Sequence, residues 1–367
     1  IVVVERNFVV AQRNVDADDA DEILLLRHDG DDDLFKILSR RGIACFGNQI
    51  VELIIHFQVD VALGIPREEN LAMIAESVAL AKEKRGEAMF DAEHFFDGYR
   101  TNPEFALATL KAAHDSGAER LVLCDTNGGT LPHDVDRVVR EVAAAIPEAA
   151  LGCHFHNDSG TAVANSLAAA NAGITQIQGC VNGYGERTGN ADLCSVIPNV
   201  SLKMGYGSIP EDRLSKLTRV SHHIAEIINL TLDDHLPYVG VSAFTHKAGL
   251  HTSALARRPD AYEHMPAASV GNSTRTVVSE LAGRSTILAK AQDTGLALSS
   301  SEAQVVVDRI KELEHEGYHF EAADGSFELL VRDAQGWTQP FFELESYRVF
   351  VEHREGDVVA EATVKVH

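Results

Sequence analysis

The sequence predicts an α/β protein built on a (β/α)8 TIM barrel that is incomplete at its N-terminus. Two observations indicate the barrel. Apolar strand-like runs alternate with helical stretches from residue 88 to about 203, and polar side chains follow each run. The residue count indicates the incomplete start. If the strand ending at Asn182 is the eighth, four units of about 31 residues should precede residue 88, and only 87 residues do.

The repeating units can be assigned in order along the chain. Apolar residues at helical spacing predict a helix over 68–86, and Gly86 ends it. Strand-like runs then occupy 88–92, 120–124, 150–153 and 174–180. Helices are predicted between them over 105–116, 132–145 and 160–172. This order is typical of parallel strands joined by crossover helices.

The flanking regions follow other patterns. Residues 1–42 carry acidic runs around a short apolar patch, which is typical of solvated or disordered surface. The apolar pattern over 42–47 predicts one short buried strand. The βα rhythm is lost over 205–300, and an amphipathic helix is predicted over 302–316. Residues 346–367 alternate as two strands around a turn at 355–357, which predicts a hairpin.

Composition excludes several classes of protein. The net charge is −23, from 55 acidic and 32 basic residues. A nucleic-acid partner is therefore disfavoured, because its phosphates would be repelled. Mean hydropathy is −0.08, and no apolar stretch approaches the roughly 20 residues that span a bilayer. The first residues lack the features of a signal peptide. Five cysteines without paired spacing indicate buried thiols in a reducing, cytoplasmic compartment.

Candidate chemistry gathers at the carboxyl ends of the predicted strands. His154 and His156 stand two residues apart at a strand end, so both imidazoles point to one face. Two neighbouring imidazoles form half of a divalent metal site. Glu93, Thr126 and Asn190 follow other strands at the same end, which is the catalytic face of such a barrel. The plainer alternative is a pair of surface or core histidines, because an H-x-H pair alone is a weak signal.

Two long motifs carry a family resemblance: HFHNDSGTAVANS at 154–166 and NGYGERTGNADLCSVIPN at 182–199. They resemble the signature of the acyl-CoA-condensing synthases that include 2-isopropylmalate, homocitrate and citramalate synthase. The resemblance covers about residues 60–367. It implies a divalent metal (Mn, Mg, Zn or Co) held by His154, His156 and Asn190. The family's metal-binding Arg-Asp-Gly motif is missing, and the sequence RHDG at 27–30 is an interrupted imitation of it.

The resemblance also implies roles for individual residues. Glu93 and His251 would share the acid/base work of a Claisen-type condensation, in which acetyl-CoA is the co-substrate. Thr126, Asn127 and His246 would bind substrate. The loops around Glu93 and Asn127 look most like those of the citramalate-forming members, which take pyruvate. This implies an acyltransferase at the first step of threonine-independent isoleucine biosynthesis, acting as a homodimer.

Three alternatives remain open at this point. A 2-isopropylmalate synthase would take 2-oxoisovalerate, and a metal-dependent aldolase or lyase would share the H-x-H pair on the same barrel. A non-catalytic remnant is the third, because the missing Arg-Asp-Gly motif predicts a weak or inactive enzyme.

The predicted domains are the catalytic barrel at 1–203, of which 1–58 is atypical, and a mostly helical linker subdomain at 204–300 that completes the active site. Residues 301–367 would hold a second subdomain and the first hairpin of a truncated α+β regulatory domain.

Overall fold

The computed structural model describes residues 2–5, 44–46, 49–53, 59–60, 64–246, 254, 258, 261–276, 283–293, 295–320, 323–337, 342–354 and 357–367. The chain divides into two compact units. One comprises Ile1–Phe244 with Ala267–Ser273, and the other Thr245–Pro266 with Thr274–His367. The three-part functional division proposed from the sequence, with boundaries after residues 203 and 300, stays a prediction.

The first unit contains one seven-stranded sheet. Its strands are β1 (Val2–Glu5), β2 (Ala44–Phe46), β3 (Gln49–Leu53), β4 (Met89–Glu93), β5 (Arg120–Asp125), β6 (Leu151–Phe155) and β7 (Gln176–Gly179). The spatial order is β1-β7-β6-β5-β4-β3-β2. Neighbouring strands are parallel except for β2 and β3, which are antiparallel. Within the described residues, β1 and β2 form the two edges of the sheet.

The helices of the first unit follow the predicted rhythm. They are α1 (Arg67–Arg85), α2 (Phe95–Thr101), α3 (Pro103–Asp115), α4 (Pro132–Ala145), α5 (Ala162–Asn171), α6 (Leu193–Pro198), α7 (Glu211–Leu214) and α8 (Leu217–Ile227). Helix α3 begins two residues earlier than predicted. Asn102 caps it by accepting a hydrogen bond from the Phe105 N–H at 3.1 Å, and Pro103 suits the first turn because its missing N–H is not needed there.

One strand lies where the sequence predicts only solvated surface. Val2–Glu5 forms β1, which pairs in parallel with β7 in the register Val2↔Gln176 to Glu5↔Gly179. Three consecutive valines are β-branched and fit a pleated strand well. The acidic runs that follow dominate the composition of this region and conceal this local preference. The strand predicted over 42–47 is present as β2, and its burial stays a prediction.

Two hydrogen bonds show that the sheet is strongly curved. Gln178 on β7 donates from Nε2 to Asp91 Oδ1 on β4 at 3.2 Å, and Gln176 Nε2 contacts the Met89 sulfur at 3.4 Å. In a flat sheet, strands three positions apart are separated by about 14 Å. Side chains of this length bridge that gap only if the strands curl around a common interior, as they do in a barrel.

The two faces of the sheet differ in polarity. Alternate residues of β4 to β7 pack against the helices in one large apolar cluster that includes Phe90, Leu121, Leu123, Phe155 and Ile177. The opposite face, the barrel interior, carries the buried polar residues Asp91, His154, Gln176 and Gln178. A buried polar face is unfavourable without hydrogen-bond partners, so the interior is the part of the sheet suited to binding polar ligands.

The second unit has its own apolar core. Helices α9 (Arg284–Asp293), α10 (Ser300–His315) and α11 (Asp324–Ala334) pack around a cluster that includes Ile287, Val306 and Phe327. The short strands β8 (Thr245–His246) and β9 (Arg275–Thr276) pair in parallel. Strands β10 (Leu344–Arg354) and β11 (Asp357–Val366) form the predicted antiparallel hairpin.

Candidate metal and substrate site

The two histidines of the H-x-H pair come together as their spacing predicts. His154 lies near the end of β6, and His156 follows one residue past it. The intervening Phe155 packs on the opposite side, against Phe96 in the apolar core, with ring centroids 5.4 Å apart. His154 and His156 keep only 4% and 9% of their surface exposed. The strand therefore directs both imidazoles into the polar interior.

The separation of the two imidazoles suits a shared cation. Their Nε2 atoms lie 3.3 Å apart. Two nitrogens that bind one metal at about 2.0–2.1 Å with a tetrahedral angle are separated by about 3.3–3.4 Å. The same distance allows a hydrogen bond between the rings when one is the neutral donor and the other the acceptor. The Nε2–Nε2 separation therefore matches that of two imidazoles bound to one divalent cation.

Asn190, the residue paired with His156, carries a buried amide oxygen. It forms an isolated bridge with His156. Its amide Nδ2 donates to the Tyr184 carbonyl at 2.9 Å, which fixes the orientation of the side chain. Its Oδ1 is buried and has no hydrogen-bond partner among the described residues. A buried amide oxygen without a donor is unfavourable, and a hard divalent cation would satisfy it.

The donor set fits a divalent metal but remains partial. Two imidazole nitrogens and one amide oxygen are ligand types that zinc and manganese accept. In the described part of the chain, no cluster of three His, Cys, Asp or Glu side chains is arranged to hold a metal. The charged oxygen ligand that the family draws from its Arg-Asp-Gly motif has no counterpart among these residues.

Thr126 lies just past β5, in the loop next to His156. Its Oγ1 accepts a hydrogen bond from the His94 N–H at 2.8 Å, so its own hydroxyl proton can be donated to a ligand. His94 adopts the left-handed conformation, with φ 60°, which is uncommon for a residue with a side chain. The role of His94 could not be predicted from the sequence, because the sequence alone does not reveal its backbone conformation.

Asn127 and Glu93 occupy the same end of the sheet. The Asn127 Nδ2 donates to Asp97 Oδ2 at 2.7 Å, so the amide is held by the first turn of α2. Glu93 is the last residue of β4 and is half-buried. Strand alternation places it on the face of Asp91, which is the interior face. A half-buried carboxylate at this edge is accessible to a ligand.

The loop after β5 is held by the carboxylate of Asp125. Asp125 Oδ2 accepts from the Thr130 N–H at 3.0 Å, and burial raises the pKa of this carboxyl above its usual value. Inside the turn, Gly128 has φ +63° and lies against Asp158 of the next loop. The loops after β5 and β6 are therefore closely packed together.

Arg187 and Glu186, two charged residues of the motif at 182–199 that could be catalytic groups or a structural ion pair, form an ion-pair network. Arg187 makes a two-point contact with Asp158, at 2.8 and 3.0 Å, and a 2.7 Å contact with Glu186. The hydrogen bond from Arg187 holds the pKa of the Asp158 carboxyl below its usual value. These charges are compensated within the loops, which favours the structural interpretation.

The histidines assigned beyond the barrel belong to the second unit or lie outside the described residues. His246 is nearly buried there, and its Nε2 lies 3.6 Å from Glu263 Oε1. Thr274 donates its hydroxyl to the same carboxylate oxygen at 2.5 Å. His251, the other acid/base candidate, lies outside the described residues.

The thiols predicted to be buried are buried at Cys124, Cys153 and Cys180, and burial raises the pKa of Cys153.

The sequence is similar to those of several named proteins. The chain is 50% identical over 309 residues to the (R)-citramalate synthase of Aquifex aeolicus, covering 83% of this chain and 58% of that protein. The (R)-citramalate synthase of Sulfolobus acidocaldarius is 43% identical, with 83% and 58% covered. A protein of Methanopyrus kandleri named "Probable 2-isopropylmalate synthase" is 34% identical, with 70% and 50% covered. The chain thus spans somewhat more than half the length of the citramalate synthases it matches.

Two family descriptions match different parts of the chain. Residues 238–318 match the homocitrate synthase post-HMGL domain-like family. Residues 38–224 match the HMGL-like family, and this stretch contains β2 to β7 with the histidine pair, Thr126 and Asn190. The family resemblance predicted from the two motifs is confirmed, and the chain belongs to the HMGL-like family.

Proposed function

We propose that this protein condenses acetyl-CoA with pyruvate to give citramalate and CoA. The observation that carries the proposal is the 3.3 Å separation of the His154 and His156 Nε2 atoms, together with the buried Oδ1 of Asn190, the residue paired with His156. Relatives named (R)-citramalate synthase, at 43–50% identity, support this choice of reaction. The proposal makes the protein an acyltransferase that converts the acyl group to an alkyl group on transfer.

The residues of the barrel interior divide the binding work. His154, His156 and Asn190 would hold a divalent cation, which when bound supplies Lewis-acid polarisation of the keto-acid carbonyl. Thr126 donates its hydroxyl proton to the keto-acid carboxylate. Its oxygen already accepts from the His94 N–H, so its hydroxyl proton remains available for donation. Asn127 supports the adjacent wall through its bond to Asp97.

Acid/base work falls to Glu93 and His251. Carboxylates and imidazoles are the groups most readily tuned to exchange protons near neutral pH. A proton leaves the methyl group of acetyl-CoA, and the resulting enolate carbon forms a bond to the carbonyl carbon of pyruvate. The former carbonyl oxygen takes up a proton and becomes the tertiary hydroxyl. Water then cleaves the thioester and releases CoA as the thiol. His246, whose Nε2 lies 3.6 Å from Glu263 Oε1, is assigned to substrate binding.

The runner-up reaction uses 2-oxoisovalerate and gives 2-isopropylmalate. Relatives with that name match at lower identity, 32–34%, which favours pyruvate.

The remaining assignments follow from the resemblance and from composition. We place the enzyme in the cytoplasm, in agreement with the four cysteines that are free among the described residues, and propose a homodimer. No helix in the described part of the chain is long and apolar enough to cross a membrane. A place at the start of isoleucine biosynthesis follows from the proposed product.

A thiol-release assay tests the proposal. The purified chain, supplied with Mn²⁺ and acetyl-CoA, should release CoA only when a keto acid is added. The specificity constant should favour pyruvate over 2-oxoisovalerate by about one to two decades, because small apolar groups discriminate by only about 1–3 kcal/mol. A higher constant for 2-oxoisovalerate would move the assignment to 2-isopropylmalate synthase. If the chain binds metal but releases no CoA when a keto acid is added, a lyase is favoured. If it neither binds metal nor releases CoA, a non-catalytic relative is indicated.

A further inference from the structure

We propose that Arg187 is a positioning residue for substrate binding, because its guanidinium ties together the loops that follow three consecutive strands and so holds Thr126 in place. The inference rests on the proposed function, in which Thr126 binds the keto-acid carboxylate. Arg187 acts through the main chain of Thr126 and does not itself touch substrate.

Each loop is contacted by a different part of the guanidinium. Nη2 donates to the Thr126 carbonyl oxygen, in the loop after β5, at 2.7 Å. Nε and Nη2 donate to the two carboxylate oxygens of Asp158, in the loop after β6, at 2.8 and 3.0 Å. Arg187 itself lies in the loop after β7, and its Nη1 donates to the neighbouring Glu186 at 2.7 Å. One side chain therefore connects all three loops at the carboxyl end of the sheet.

The same contacts exclude a direct role in anion binding. Four of the five guanidinium N–H groups are already used. Two carboxylates, Asp158 and Glu186, compensate its charge. A substrate carboxylate would have to displace one of them, whereas Thr126 offers a hydroxyl with its proton available. Arg187 is therefore placed to hold the three loops together and not to bind the substrate.

Thr126 is fixed from two sides. Its side-chain oxygen accepts from the His94 N–H at 2.8 Å, and its main-chain oxygen accepts from Arg187. Loss of the second contact leaves the hydroxyl anchored but lets the peptide plane rotate, which changes the direction in which the hydroxyl proton points. Arg187 also has φ 54°, a left-handed conformation that side-chain-bearing residues adopt rarely.

Lysine is the informative substitution, because it keeps the positive charge but cannot form a fork that reaches two oxygens at once. Arg140 offers a matched control on α4. It makes the same two-point contact with Asp136, at 2.9 and 2.8 Å, on a helix surface. Arg187→Lys should lower kcat/KM for pyruvate about tenfold, mainly by raising KM, whereas Arg140→Lys should change it less than about twofold.

A double-substitution cycle then tests whether Arg187 acts through Thr126. Thr126→Val removes the hydroxyl and keeps the carbonyl that Arg187 contacts. In the Thr126→Val background, Arg187→Lys should lower kcat/KM by less than about twofold, because the hydroxyl that it positions is gone. An undiminished tenfold loss in that background would overturn the proposal, since it would show that Arg187 acts independently of Thr126.

A second measurement separates failure of this inference from failure of the proposed function. Amide hydrogen exchange over residues 126–130 should be faster in Arg187→Lys than in the wild type, and unchanged in Arg140→Lys. If the wild type releases no CoA with any keto acid, the proposed function fails and this exchange still decides the role of Arg187. Exchange over 126–130 that is unchanged in Arg187→Lys would overturn the proposal.

Discussion

Replacing Gly128 with alanine should damage both stability and the metal site, because two separate constraints meet at this residue. Gly128 has φ +63°, and an added Cβ would lie 2.5 Å from Asp158 Oδ2 and 2.7 Å from the Asp158 main-chain nitrogen. The left-handed conformation costs about 1–2 kcal/mol for an L-residue. Overpacking against a neighbour that cannot retreat costs about 1–3 kcal/mol more. The expected total is about 2–5 kcal/mol.

Gly160 provides the matched control for this substitution. It lies two residues beyond Asp158, has φ +72°, and an added Cβ would meet no atom within 4 Å. Gly160→Ala therefore measures only the cost of placing a side chain on a left-handed backbone, about 1–2 kcal/mol. The difference between the two variants measures the close approach of the loops after β5 and β6.

The assay is urea unfolding followed by circular dichroism, combined with Mn²⁺ titration of the folded variants. Gly128→Ala should show the larger fall in midpoint. It should also bind Mn²⁺ more weakly, because His156 lies only two residues before Asp158 and shifts when Asp158 is displaced. Gly160→Ala should bind Mn²⁺ as the wild type does. Equal losses of stability in both variants, with equal metal affinity, would refute the argument from loop packing.

Three further predictions follow from the site. Glu93→Gln should lower kcat by about 10²–10⁴-fold with the KM for pyruvate nearly unchanged in steady-state assays; unchanged kcat would remove Glu93 from the acid/base machinery. Removal of metal with a chelator should abolish CoA release and Mn²⁺ should restore it; full activity of the chelated enzyme would contradict the metal assignment. Arg187 lowers the folded-state pKa of Asp158 below 3.8. The wild type should therefore be more stable to unfolding than Asp158→Asn, and this difference should be fully present above about pH 4. It should be lost as pH falls through the lowered pKa, and urea unfolding that shows a constant difference down to pH 2 would contradict this pairing.

The parts of the fold that repeat locally could be predicted from sequence. The βα rhythm from residue 88 onward follows from hydrophobic periodicity, and so do the positions of β4 to β7 and of α3 to α5. The facing of His154 and His156 follows from the two-residue period of a strand. β1 was missed, because four residues of strand preference are outweighed by the acidic composition that follows them.

The supports of the site could not be predicted, because they depend on contacts between distant segments. Arg187 meets Thr126 and Asp158, which are 61 and 29 residues away, and no local pattern encodes such contacts. The left-handed conformation of His94 follows from its packing between β4 and the loop after β5, where its N–H meets Thr126. The candidate ligands were therefore visible in the sequence, whereas the residues that orient them required the three-dimensional arrangement.

Metal binding by the histidine pair tests the central claim most directly. Calorimetric titration of the purified chain with Mn²⁺ should give one site per chain, and His154→Ala and His156→Ala should each abolish it while the circular dichroism spectrum is retained. His133, an exposed histidine on α4 with 74% of its side chain accessible, provides the control, and His133→Ala should bind one Mn²⁺ as the wild type does. Undiminished stoichiometric binding by His154→Ala would contradict the assignment of the His154–His156 pair as the metal site.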